Sequence, residues 1–151
     1  MNLSHIIIFA ALGMFSLTTI AQQNQTSAMS NREVVETFLN GFNDLSQLPA
    51  SLDLLAEDYH FKNPMVELNS KAAFIGLAKE IGAVLTGVRI ISMAEHEDWV
   101  AAYYEFSSSL PGVESNIATE WFRLEGGIIQ ESHLIYDASE WRKIYAEMSD
   151  K

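Results

Sequence analysis

The sequence predicts an α+β fold with helices packed on one face of a curved sheet. Three observations predict it. Apolar residues recur at helical spacing through most of Ser30–Leu85. After Gly87 the chain changes to strand-like runs separated by short turns. It then closes on one more one-sided helical stretch, with Trp141, Ile144, Tyr145 and Met148 on the same face. Helices and one strand followed by four consecutive strands form a layered domain, each amphipathic face buried against the other layer. The chain has 151 residues, 48% of them apolar, which is one domain with material for a core.

Residues 1–21 stand apart from that domain. Ile6–Ile20 is an uncharged, mostly apolar run, short for a span that needs roughly 20 such residues. It fits the apolar region of a secretory signal peptide, with Thr19-Ile20-Ala21 as a small-x-small cleavage site, although no Lys or Arg precedes it. An uncleaved anchor is the alternative. Residues 22–29 are polar and read as a flexible linker, with Asn24-Gln25-Thr26 matching a glycosylation sequon. The remaining 30–151 form the domain.

Its first helix is predicted over Asn31–Leu45. Ser30 and Glu33 make a capping box, and Val35, Phe38, Leu39, Phe42 and Leu45 form the buried stripe. A short helix over Pro49–Ala56 turns Leu52 and Leu55 inward. The strand Tyr59–Lys62 follows, with Tyr59, Phe61 and Asn63 on one face and His60 and Lys62 on the other. Pro64 ends it, because proline has no N–H and keeps Asn63 extended. Ser70 caps a third helix, Lys71–Leu85, with Phe74, Leu77, Ala78, Ile81 and Leu85 inward. Four strands come next: Val88–Ala94, Trp99–Ser107, Asn116–Leu124 and Ile128–Tyr136. Glu95–Asp98, Pro111-Gly112 and Glu125-Gly126-Gly127 turn between them. Asp137 or Ser139 caps the final helix.

Composition excludes several functions. The net charge is −11, all of it carried after residue 31, and so acidic a domain repels phosphate backbones; no nucleic-acid partner is expected. The chain has no cysteine, hence no disulfide, thiol nucleophile or thiolate zinc site. His96 lies among Glu95, Glu97 and Asp98 but lacks a second histidine at ligand spacing, so it reads as a solvated loop. No P-loop, dinucleotide-binding glycine pattern or Ser-His-Asp order appears, and neither cofactor nor metal is expected.

The element order resembles the nuclear transport factor 2-like superfamily, which includes SnoaL-like cyclases and ketosteroid isomerases. Ala56-Glu57-Asp58 read as a turn, Asn63-Pro64, Trp121-Phe122-Arg123-Leu124, the Gly126-Gly127 hairpin and Tyr136-Asp137 carry the likeness over nearly all of Ser30–Met148. The resemblance implies a cone-shaped antiparallel sheet wrapped around the N-terminal helices (a cystatin-like α+β roll), with one deep pocket and a dimer formed through the outer sheet face. Catalytic members place a general-base Asp before that proline. Here the position is Asn63, whose amide takes up no proton at working pH. The tyrosine oxyanion donor of the isomerases falls at or near Leu39.

Matching position by position places Glu120 where the isomerases hold a protonated Asp. Burial disfavours a charged carboxyl, so a pocket Glu120 would serve as a protonated hydrogen-bond donor or as a base; a surface or interface glutamate paired with a neighbour is the alternative. The same matching puts Tyr103 and Glu105 in the pocket, with Phe61 and Asn63 from the first strand and Ser132, Leu134 and Tyr136 from the last. Ala102, Tyr104 and Phe106 then face outward, as do Glu131, His133 and Ile135 unless a bulge intervenes. The expected protein is a secreted or periplasmic homodimer whose pocket holds a small, largely apolar molecule. It meets a membrane only if the leader is uncleaved. An isomerase, cyclase or hydrolase using Glu120 or Glu105 as acid–base is the alternative, and an association role through the outer sheet face is the third reading.

Overall fold

A computed structural model describes residues 29–149 of the chain. The leader, the cleavage site, the sequon and all of the linker but Met29 lie outside the described residues. Helix α1 (Asn31–Asn40) starts on the expected capping box: Glu33 N–H donates to Ser30 Oγ at 3.3 Å and Ser30 N–H to Glu33 Oε2 at 2.7 Å. It ends earlier than its apolar stripe. The chain tightens into a 3-10 turn at Gly41–Asn43, where the Asn43 amide accepts from Val88 N–H and donates to Val88 C=O, docking the turn on an edge strand. Gly41 is required by packing, since a Cβ there would lie 1.9 Å from Ser51 Oγ. Ser51 belongs to the short helix α2 (Leu48–Leu52) and is itself buried. Gly41→Ala is therefore expected to cost roughly 1–3 kcal/mol by overpacking, read as a lower urea midpoint, with partial recovery in Gly41→Ala/Ser51→Gly.

Strand β1 (Leu55–Lys62) begins where local pattern predicts a helix end and an acidic turn, so Ala56-Glu57-Asp58 is strand rather than turn. Its start is fixed by long-range pairing: β1 runs parallel to β6, with Leu55 opposite Ile129, and Ile129 N–H donates to Leu54 C=O. Leu52 and Leu55 are both buried, from different elements. Two residues form β2 (Glu67–Leu68), folded back on β1 through Asn63 and Pro64. Helix α3 (Lys71–Gly82) is capped by Ser70, whose Oγ accepts from Ala73 N–H. It stops short of Leu85, the first residue of β3 (Leu85–His96). Then come β4 (Trp99–Ser108), β5 (Ser115–Glu125), β6 (Ile128–Tyr136) and α4 (Ser139–Ser149).

The six strands form one curved, unclosed sheet in the order β2-β1-β6-β5-β4-β3. Register shifts in β3 and at Arg123/Leu124 against β6 insert extra residues, which bend strands and deepen local twist. The concave face receives α1 and α3, and Val35, Phe38, Tyr59, Val100, Phe122 and Ile129 form the centre of the core. The convex face keeps large apolar side chains exposed: Ile91, Tyr103, Ile117, Trp121 and Ile135. No helix among the described residues is long and apolar enough to cross a membrane.

Candidate functional site

Strand alternation on β5 sends Ala118, Glu120, Phe122 and Leu124 inward. Glu120 is thus a carboxyl in the core, 4% exposed, with Ala102 of β4 and Leu134 of β6 as its cross-strand neighbours. Both of its oxygens are engaged. Tyr104 Oη donates to Oε2 at 2.7 Å, and Ser132 Oγ donates to Oε1 at 2.6 Å. Tyr59 Oη stands 2.6 Å behind Ser132 Oγ. With Ser132's single proton committed to Glu120, Tyr59 is the donor in that last bond. The four groups are a continuous buried chain, and no buried side-chain nitrogen or oxygen among the described residues lacks a partner.

Burial dominates the chemistry of this chain. Desolvation pushes the Glu120 carboxyl from an ordinary 4.5 up to about 7, against the opposing pull of the Ser132 and Tyr104 hydrogen bonds. Tyr59 and Tyr104 are held far above the usual phenol range, first by burial and then by the Glu120 charge. They are neutral donors at every working pH. Glu120 alone among the four changes charge near neutrality.

The carboxyl and Tyr104 lie in the wall of a cavity of about 330 Å³ between the concave sheet face and the helices. Phe38 and Leu39 of α1, Phe61 of β1, Phe74 and Leu77 of α3 and Leu134 of β6 make the wall largely apolar. Asn63 lines it too and also closes the turn into β2: its Oδ1 accepts from Met65 N–H at 2.7 Å and Val66 N–H at 2.8 Å. An asparagine before Pro64 thus shapes the rim by hydrogen bonding, where an acid would add a charge. Tyr136 lines the cavity with its ring 5.4 Å from that of Phe106, and burial raises its phenol. Trp141 of α4, also in the wall, is fixed by Nε1–H donating to Asn116 Oδ1 at 2.8 Å.

No family model matches the sequence, and neither does any curated protein. Solved structures do match in three dimensions. An NTF2-like protein of unknown function from Cytophaga hutchinsonii superposes with a TM-score of 0.66 at 19% identity, over 80% of this chain and 98% of that one. A proposed polyketide cyclase from Pseudomonas putida gives 0.61 at 20% identity, over 76% and 97%. A candidate ketosteroid isomerase from Kribbella flavida gives 0.61 at 13% identity, over 70% and 76%. The chain has the nuclear transport factor 2-like fold.

Within this NTF2-like fold the structure moves two expected pocket residues to the outside. Tyr103 is 45% exposed on the convex face. Glu105 is on the same face, gripped by Ser115 Oγ and by Arg89, and these bonds hold its carboxyl below the ordinary value. The inward set on β4 is the other one: Val100, Ala102, Tyr104 and Phe106. The reason is the β4–β5 hairpin, centred on Pro111, which pairs Ser107 with Ser115 and Ala102 with Glu120. Cross-strand partners share a face, so an inward Glu120 requires an inward Ala102 and Tyr104. Ser132 faces inward but sits behind the wall, its hydroxyl taken by Glu120 and Tyr59. Glu131, His133 and Ile135 face outward. Tyr104, which places the phenol beside Glu120, and Tyr59 are the members that sequence reasoning missed.

Proposed function

We propose that this NTF2-like domain binds a small, largely apolar, uncharged molecule in its cavity, with one ligand hydroxyl or carbonyl meeting Glu120 and Tyr104. The observation that carries this reading is a single desolvated carboxyl, Glu120, in a largely apolar wall whose other carboxyl, Glu80, is exposed. The cavity's 330 Å³ is the small end of the roughly 300–1,000 Å³ typical of ligand sites, and about ten waters' worth of space. Protonated Glu120 donates to a carbonyl; ionised Glu120 accepts from a hydroxyl. An anionic ligand would oppose the carboxylate in a low dielectric. The protein is proposed to work outside the cytoplasm after loss of residues 1–21, and to pair through its exposed convex face. A mature mass retaining Met1, or a monomer in sedimentation at micromolar concentration, overturns those two points respectively.

The test of binding is melting temperature across a panel of uncharged alcohols and ketones. At a hundredfold excess over Kd a ligand adds about 2.7 kcal/mol, a shift of several degrees. Leu134→Trp, which fills the cavity beside Glu120, is expected to abolish the shift. Wild-type melting that no panel member moves contradicts the proposal.

The second reading is acid–base catalysis on the bound molecule, favoured by a Glu120 pKa near working pH and by the names of the cyclase and isomerase neighbours. Glu120 is its only candidate proton carrier of the two expected, because Glu105 lies outside. Turnover that survives Glu120→Gln unchanged rules it out.

A further inference from the structure

We propose a second site, on the opposite face of the sheet: a surface centre for a divalent transition-metal ion, zinc first, held by His60, Glu131 and His133. It owes nothing to the cavity. Parallel pairing of β1 with β6 sets His60 opposite Glu131 and Lys62 opposite His133, and the alternation of both strands turns His60, Glu131 and His133 to the convex side. Residues 131 and 133 share a face two apart, so all three side chains converge. One donor atom from each lies within 4.8 Å of the others.

The geometry inside the cluster resembles an open ligand set more than a surface ion pair. Glu131 Oε2 stands 3.8 Å from His60 Nδ1 and 4.0 Å from His133 Nε2, too far for a hydrogen bond to either. Ligands at roughly 2.0–2.1 Å from a tetrahedral ion stand about 3.3 Å apart, so the three need to close in by roughly 0.5–1.5 Å, within rotamer reach of partly exposed side chains.

The other polar atoms of the cluster are already committed in ways that suit a metal. His60 Nε2 is 3.0 Å from Glu67 Oε1, and in a neutral imidazole that carboxylate selects the tautomer with its proton on Nε2, leaving the Nδ1 lone pair toward Glu131 for a metal. A carboxylate on the far nitrogen of a ligating histidine is the usual outer partner of a zinc site. Arg123 Nε donates to Glu131 Oε1 at 2.6 Å, orienting the carboxylate so that Oε2 faces the histidines. The His133 ring is bounded by Trp99 at 6.4 Å and by His60 at 6.1 Å between centroids, edge to face in both cases. Two imidazoles and one carboxylate are borderline donors that select zinc, copper or nickel over calcium or magnesium, and three protein ligands leave a position for water. Arg123 on Glu131 and Lys62, opposite His133 and 3.4 Å from Glu67, are the local cations a metal has to tolerate, within a chain of net charge −11.

The test is calorimetric titration of the tag-free full chain with zinc chloride alone, alongside visible absorption with cobalt(II). One ion per chain is expected, with cobalt bands of a low-coordinate nitrogen and oxygen site. His60→Ala and His133→Ala are each expected to weaken binding at least tenfold, and Glu67→Gln by about tenfold through loss of the outer partner. His96→Ala, which alters an exposed histidine at the β3–β4 turn, is expected to change nothing. Both ligand histidines are partly exposed, so these variants keep the fold, which circular dichroism checks. Absence of binding at millimolar zinc, or binding unchanged in the His60→Ala/His133→Ala double variant, overturns the proposal.

Discussion

Replacing Glu120 with glutamine is expected to remove a pH dependence of about 3 kcal/mol from the stability of this domain, and to stabilise it at pH 8. A carboxyl raised from 4.5 to about 7 binds its proton more tightly in the folded chain than in the unfolded one. Between those values the folded state carries the extra proton, so stability falls as pH rises. The contribution is fully present below pH 4.5 and is lost as pH climbs through about 7. A rise of that size, from 4.5 to about 7, corresponds to about 3 kcal/mol. Glutamine has no charge to desolvate, and its amide still offers one acceptor and one donor group to Tyr104 and Ser132. Urea unfolding from pH 5 to pH 8.5 reads the result: the wild-type curve minus the variant curve slopes downward across neutrality. Parallel curves would mean that Glu120 is ionised at ordinary pH and that burial is not the dominant influence on it.

Phe38→Ala is expected to cost about 3–5 kcal/mol, lost packing and an uncollapsed hole together. Phe38 is 2% exposed and meets Phe42, Phe74 and Phe122 at centroid distances of 5.7, 6.1 and 5.8 Å. Its ring ties α1 to α3 and to the sheet. Because it also lines the cavity, truncation merges new space with old, and the helices cannot relax to fill it. The loss therefore belongs at the upper part of that range, and aromatic additives are expected to raise the melting temperature more in the variant than in the wild type. A cost under about 1 kcal/mol would show that α1 is not anchored through this ring.

Local chemistry makes much of the fold legible. The Ser30/Glu33 box, the Ser70 cap, Asn63-Pro64 and the glycine turn before Ile128 act over four or five residues, and each lies where its mechanism puts it. What the sequence hides is long-range. The strand starts at Leu55 because Ile129 of β6 pairs with it, with Ala56–Tyr59 bulged between that pair and His60–Glu131, and no local pattern records a partner more than 70 residues away. The same parallel pairing brings His60 to His133, invisible to any motif with short spacing. Family matching misplaces the β4 face although a local signal contradicts it: a turn centred on Pro111 pairs even residues with even, so Glu120 inward and Tyr103 inward are incompatible. Tyr104, the group that defines the site's polar end, is one residue from the position that matching selects.

Native mass spectrometry of the chain purified without detergent, before and after denaturation, reads directly whether the cavity carries a small molecule. A co-purified uncharged molecule released on unfolding is expected, present in wild type and absent in Leu134→Trp. A bare protein that also binds nothing when exposed to the alcohol and ketone panel would contradict it, leaving the Tyr59–Ser132–Glu120–Tyr104 chain as a structural polar core.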